Sequence, residues 1–448
     1  MVNNPKATNE TSGMQPLRRS GEGSSSFARG GIELIGTKPS MAKRPGYVGS
    51  ALLRMHLTRG AGTGRKDIVP SVLEEKTPRL TRTHLACLVV IALIGSFLSA
   101  ALLAPLATDM EWDGSKARTT YTSHGMIMIM SDAEFTLANG VTSGGSGTPS
   151  NPYVIENWEI DASAIGFGIL IMDTTKYYVI RNVHVFAPGS FGINMLNAPH
   201  GTVEDCLLDD GAVGIIASDS DYMNITGNIV TNQDWFAVEV ANGKWANISG
   251  NQFADNNFSA VALLNVENST VSSNTILRTN MSGIMVLESN YTRVIGNNAS
   301  DSPGMGLYLE MANDTLVRDN NFTMNQMYGL YLNFSTDVSI YHNRFIGNLV
   351  QAEVGNSTNV AWDNGYPDGG NYWSNYSGSD AFMGPDQDMN GADGIGDIPF
   401  ITNGSGVDRY PWMAEDMNYI PEFATLLMPV LAVMLAIAAS GSARRRLR

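Results

Sequence analysis

Between residues 220 and 350 the chain repeats one short pattern of apolar and polar positions. Aligned on a single asparagine, the repeat runs Asn228, Asn251, Asn274, Asn297, Asn320, Asn343, spaced 23 residues apart each time. Three residues before each asparagine stands a β-branched residue: Ile225, Ile248, Val271, Val294, Val317, Ile340. Two residues after them stand Val230, Phe253, Ile276, Ala299, Phe322 and Phe345. A second row keeps step: Gly168, Gly192, Gly214, Ala237, Ala260, Gly283, Gly306 and Gly329 each open a small-apolar-x-apolar tetrad such as "GIMV" or "GLYL". Alternation with period 2 over a few residues, bounded by Asn, Gly and Asp, predicts short strands. Strands recurring every 20–25 residues predict a solenoid, because one coil cannot bury its apolar face alone and stacked coils share a core. Coils should then stack at the inter-strand spacing of about 4.8 Å. The asparagine column has a structural reading, since stacked carboxamides can bond one another and the turn backbone along the axis. Counting back by 23 from Asn228 extends the column to Asp205 and Asn182, and a further 25 to Asn157.

Two apolar runs flank the repeat. Residues 85–107 carry no charge and are long enough to span a bilayer. Arg79 and Arg82 precede them and Asp109, Glu111 and Asp113 follow, which orients the N-terminus to the cytoplasm and the repeat outside. The alternative is a cleaved signal peptide with a start downstream, at Met41 or Met55. Residues 1–84 are basic, rich in Gly, Ser and Pro and without sustained period, and are expected to be disordered or a mis-assigned start. Residues 423–439 form a second, shorter apolar run that ends in "SGSARRRLR". Pro421-Glu422-Phe423, the apolar run and the Arg cluster together resemble PEF-type C-terminal sorting signals of archaeal surface proteins. That resemblance implies a membrane sorting enzyme as a partner; a plain membrane anchor is the alternative.

Charge sharpens the functional range. The chain carries a formal net charge of −15, but residues 1–83 hold 14 Lys/Arg against 6 Asp/Glu, while 84–443 hold 10 against 37. So acidic a region is a poor partner for nucleic acid, whose phosphates need Lys and Arg, and suits cations or neutral glycans. With Cys87 in an apolar run, Cys206 is left without a disulfide partner in the repeat region.

Three further stretches carry a family resemblance: "GGSGTPSNPYVIENWEI" at 144–160, the N-x-[IVF] coils, and "WDNGYPDGGNYWSNYSG" at 362–378 followed by "DQDMNGADGIGDIPF" and "DRYPWM". Over roughly 126–413 the chain resembles the NosD-type proteins, right-handed parallel β-helix repeat proteins of pectin-lyase-like fold that are described as periplasmic and copper-binding. The resemblance implies an all-β right-handed solenoid, an exported location, and copper as a family ligand. The expected organisation is an N-terminal cap over 126–153, about nine coils over 154–360 and a C-terminal cap over 361–413.

Candidate chemistry falls in four places. In "GPDQDMNGADGIGD" (384–397), Asp386, Asp388, Asn390, Ala392 through its carbonyl, and Asp397 take positions 1, 3, 5, 7 and 12 of an EF-hand-like loop, with Gly391 at the sharp turn. Oxygen ligands so spaced could hold a structural Ca²⁺; a solvated turn cluster is the alternative. In "HGMIMIM", His124, Met126, Met128 and Met130 alternate and would share one strand face, soft donors suited to Cu(I); packing over the open solenoid end is the alternative. At the turn four residues past the reference position stand Asp209, Asn232, Asp255, Arg278 and Asp301, so that Asp209 and Asp255 would lie two coils apart, near the upper limit for an inverting acid/base pair on a polysaccharide; ordinary Asp turns are the alternative. The outward tetrad position reads Glu239, Ala262, Met285, Tyr308, Tyr331, and the two tyrosines on successive coils offer a ring platform for a sugar, or cross-strand stacking alone. Thirteen N-x-Ser/Thr sequons lie in the acidic region, Asn268 among them, and are candidate glycosylation acceptors outside the cell. The balance of these features favours a membrane-anchored, extracellular, non-enzymatic protein for glycan or cell-envelope ligands, with copper-enzyme maturation and a polysaccharide lyase or hydrolase as alternatives.

Overall fold

The structure, a computed structural model, describes residues 121–415 apart from 165 and 405. It is a right-handed parallel β-solenoid of about nine coils with the expected spacing near 23 residues. Each coil contributes one strand to each of three parallel sheets. Sheet I has eleven strands, from Thr122–Ser123 to Tyr372–Trp373; sheet II has ten, from Ile127–Ile129 to Val350–Val354; sheet III has ten, from Tyr153–Glu156 to Thr358–Ala361. Among the described residues no helix is long and apolar enough to cross a membrane. The expected spans at 85–107 and 423–439, and the basic segment before them, lie outside the described residues.

Register follows the repeat. In sheet III, Ile225, Ile248, Val271, Val294, Val317 and Ile340 pair in sequence; in sheet I, Val230, Phe253, Ile276, Ala299, Phe322 and Phe345 do so and end on Trp373. The second and fourth tetrad residues of sheet II, such as Ile284/Val286 and Leu307/Leu309, complete the buried core. The tetrads open on Gly or Ala because the next coil passes close by. A Cβ on Gly306 would lie 2.7 Å from the Gly329 carbonyl oxygen and 2.7 Å from the Phe322 ring.

The asparagine column is a continuous hydrogen-bonded ladder. Asn274 is typical: its backbone N–H and its Nδ2 both donate to Asn297 Oδ1 (3.0 and 2.9 Å), and Nδ2 also donates to the Ile248 carbonyl (2.9 Å). The ladder runs from Asn228 to Asn343 and then on to Asn371, whose Oδ1 accepts from Asn343. Backward it stops where counting by 23 did not expect. The position before Asn228 is Cys206, whose backbone N–H donates to Asn228 Oδ1 at 3.0 Å. Asp205, Asn182 and Asn157 sit one residue upstream, at a left-handed corner (φ 51, 47 and 63°) that Gly227 and Gly250 occupy in later coils. The coil from Asp205 to Gly227 is one residue short of the repeat, so a fixed period slips there. Asp and Asn tolerate the left-handed corner nearly as well as Gly, which made the slip invisible in residue type.

The C-terminal segment closes the solenoid. Trp373 stacks between Phe345 (4.4 Å) and Phe400 (4.3 Å). Asp408, fully buried, accepts from the Asn371 N–H (2.8 Å), Trp373 Nε1 (2.8 Å) and the Tyr410 N–H (3.1 Å), so the end of the ladder is capped by a carboxylate. Next to it Arg409 holds buried Asp363 by Nη2 (2.6 Å) and Nε (3.0 Å).

Candidate ligand-binding surface

The outward positions of sheet II form one row in register: Leu170, Asn194, Ile216, Glu239, Ala262, Met285, Tyr308, Tyr331, Glu353. Its middle is apolar and its C-terminal end is aromatic and acidic. The Tyr308 and Tyr331 rings stack at 5.7 Å and 26°, and Tyr328 tilts onto Tyr331 at 5.2 Å. The Tyr308 hydroxyl donates to Glu310. Burial and the Glu310 carboxylate hold the Tyr308 phenol well above its usual range, and burial with Glu353 raises Tyr328 and Tyr331. Tyr308 is only 8% exposed, so it backs Tyr331 and offers no ring face of its own. Tyr328 and Tyr331, half-buried, present ring surface beside Glu310 and Glu353. Further along the row, burial pushes Glu239 up to about 7.

Asp209 and Asp255 do not share a column. Asp209 closes the strand Leu207–Asp209 and pairs with Thr231, while the left-handed turn column reads Asp210, Asn232, Asp255, Arg278, Asp301. The one-residue slip at Cys206 is the cause. Asp255 is held by Arg278 Nε and Nη2 (2.7 and 2.8 Å), and Asp209 accepts from Thr231 Oγ1 and Asn232 Nδ2 (2.7 and 2.9 Å). Both carboxylates are thus tied to neighbouring side chains of the next coil and not to each other.

The acidic loop does not converge on a centre. Asp397 accepts from Ser379 Oγ and from the Ala381 and Phe382 N–H groups, and these bonds lower its carboxyl below the usual range against the cost of burial. Asp380 takes the Asp393 and Gly394 N–H groups. Asp386, Asp388 and Asn390 are exposed to solvent, and Met389–Asn390 forms a two-residue antiparallel pair with Phe382–Met383. The EF-hand spacing is present, but backbone amides hold the Asp397 carboxylate that a cation would need.

The histidines and the cysteine are likewise apart. His124 continues sheet I, where its N–H donates to the Glu159 carbonyl and its ring packs on Trp158 at 4.7 Å. Met128 and Met130 face outward at the terminal strand of sheet II, so His124, on sheet I, does not share their face. His184 is paired with Glu159, His200 lies between Tyr177 and Tyr222, and His342 packs on Trp412. Burial pushes the Cys206 thiol up to about 12, out of thiolate range. Among the described residues no group of three or more His, Cys, Asp or Glu is placed to hold a metal ion. An imidazole or thiolate copper site does not fit these residues.

One feature escaped the sequence reading. Tyr177, His200, Tyr222 and Trp245 stack along one outer corner at 4.3, 5.2 and 4.6 Å with planes within 14°. Their spacing follows the repeat and was available as a signal.

Comparison with known proteins sets this geometry in context. A search of curated proteins returns no match. Solved structures with a similar backbone include a double mutant of the periplasmic alginate epimerase AlgG (12% identity, 55% of this chain and 86% of that one, TM-score 0.33). Others are a GH136 lacto-N-biosidase from Eubacterium ramulus (11%, 46% and 49%, 0.33) and DFA-IIIase from Arthrobacter chlorophenolicus without its lid (15%, 51% and 64%, 0.33). The family model described as periplasmic copper-binding protein (NosD) matches residues 115–261 and 192–378, together more than half of the chain. The chain belongs to the NosD family.

Proposed function

We propose that this protein is an extracytoplasmic, non-catalytic β-helix that binds a neutral glycan of the cell envelope at the aromatic end of sheet II. The observation that carries the reading is the cluster of Tyr328 and Tyr331 with Glu310 and Glu353. Ring faces stack on the apolar side of a pyranose, while carboxylates accept from its hydroxyls. The net acidity of the region favours uncharged over anionic polysaccharide. Asp255, bound to Arg278, argues against the hydrolase alternative. Membrane attachment through 85–107 and 423–439, the latter read by a sorting enzyme, belongs to the same proposal and keeps the solenoid at the cell surface. Binding to a panel of neutral glycans, lost in Tyr328→Ala/Tyr331→Ala, is the expected result. Equal binding by that variant would move the site elsewhere.

A further inference from the structure

The aromatic corner column has a gap. Past Trp245 the next coil places Asn268, and the one after places Tyr291. All three share the same left-handed corner (φ 56, 53 and 56°), so their side chains leave the solenoid in the same direction. Their backbones are in register: the Trp245 N–H donates to Glu267 O, Asn268 to Asn290 O and Tyr291 to Asn313 O, at 3.0–3.1 Å. Neighbouring rings in this column, Tyr222 and Trp245, lie 4.6 Å apart. Two coils therefore separate the Trp245 and Tyr291 rings by about 10 Å, which leaves a slot one ring thick, with about 5 Å to each face. Both rings are solvent-exposed, Trp245 at 44% and Tyr291 at 55%.

Asn268, at the floor of this slot, begins the sequon Asn268-Ser269-Thr270. Its carboxamide is exposed and makes no hydrogen bond within the described residues. Four of the other sequon amides are engaged: Asn247 Nδ2 donates to Asn224, Asn280 to Asn257, Asn313 to Asn290 and Asn321 to Asn298. We infer that Asn268 is an N-glycosylation site whose first pyranose sits between Trp245 and Tyr291. In the covalent step Asn268 Nδ2 bonds to C1 of a sugar from a lipid-linked glycosyl phosphate donor. The C1–O bond to phosphate breaks, the lipid phosphate leaves with the electron pair, and the amide proton passes to a base of the transferring enzyme. The attached sugar then continues the column of stacked rings, covering two aromatic faces that the solenoid leaves open.

The test uses the full-length protein made in its own host. Trypsin cuts after Lys244 and Arg278 and releases residues 245–278 with three sequons, Asn247, Asn257 and Asn268. Electron-transfer fragmentation of that peptide is expected to place a glycan on Asn268 and none on Asn247. An unmodified Asn268 overturns the proposal. Hydroxyl-radical footprinting supplies the second readout. Trp245 and Tyr291 are expected to be labelled several-fold less in the native glycoprotein than in Asn268→Gln, which removes only an exposed, unbonded side chain. Equal labelling of the two proteins would overturn the stacked slot even with Asn268 occupied.

Discussion

Replacing Asn274 by alanine tests what holds the coils together. The side chain is 1% exposed and takes part in four hydrogen bonds, all at 2.9 Å. Its Oδ1 accepts from the N–H and Nδ2 of Asn251, and its Nδ2 donates to Ile248 O and Asn297 Oδ1. Alanine leaves the buried Asn251 N–H without a partner, at about 1–3 kcal/mol, and removes three further bonds of about 0.5–1.5 kcal/mol each, so a loss of about 2.5–7.5 kcal/mol is expected. Asn280→Ala is the control: it removes one exposed bond, to Asn257, and should cost about 0.5 kcal/mol or less. Asn274→Asp keeps the acceptor but turns an oxygen toward Ile248 O and Asn297 Oδ1, so it should destabilise at least as much as alanine at neutral pH. Urea unfolding followed by circular dichroism gives the totals, and amide exchange at Asn251 gives the local effect, because stacked coils couple chiefly to their neighbours. Should Asn274→Ala match Asn280→Ala in both assays, the ladder is not what holds adjacent coils in register.

The remaining predictions concern the cap and the metals. Burial pushes the Asp408 carboxyl up to about 7, against about 3.9 in an unfolded chain, so the folded state binds that proton more tightly over the interval between. Its contribution to stability therefore falls as pH rises from about 4 to about 7 and is level above that, by up to roughly 4 kcal/mol. Asp408→Asn should flatten this trend, as read by amide exchange at Asn371, and an unchanged slope would contradict the assignment. With the Asp397 carboxylate bonded to Ser379, Ala381 and Phe382, EDTA is expected to leave the Tm unchanged, and a chelator-sensitive Tm would restore a calcium clamp. Elemental analysis is expected to find copper well below one per chain. Stoichiometric copper lost in Met126→Leu/Met128→Leu/Met130→Leu would show that the outward methionines bind it after all.

Much of the fold was legible because every coil repeats one environment. Ile248, Val271 and Val294 differ in volume but face the same core, so a period of 23 emerges from residue type alone. What failed was arithmetic at an irregular coil: one missing residue before Asn228 moved Asp205 off the ladder and Asp209 out of the Asp255 column. The carboxylate cap was not legible, because Asp408 meets Asn371 across 37 residues with no period linking them. The acidic loop shows a different limit. Its spacing matches a cation loop, yet spacing does not reveal which backbone amides take the Asp397 carboxylate. The register of Tyr308 with Tyr331 followed from the repeat, but the loss of exposure at Tyr308 depends on neighbours that the repeat alone does not specify.

The central functional claim is that the aromatic end of sheet II holds a glycan without cleaving it. The most direct measurement incubates the purified protein with a panel of neutral polysaccharides and follows both bound ligand and released product. The account predicts saturable binding of at least one glycan, recovered intact, with binding lost in Tyr328→Ala/Tyr331→Ala. No binding across the panel, or release of shortened or unsaturated sugars by the wild type, would contradict it.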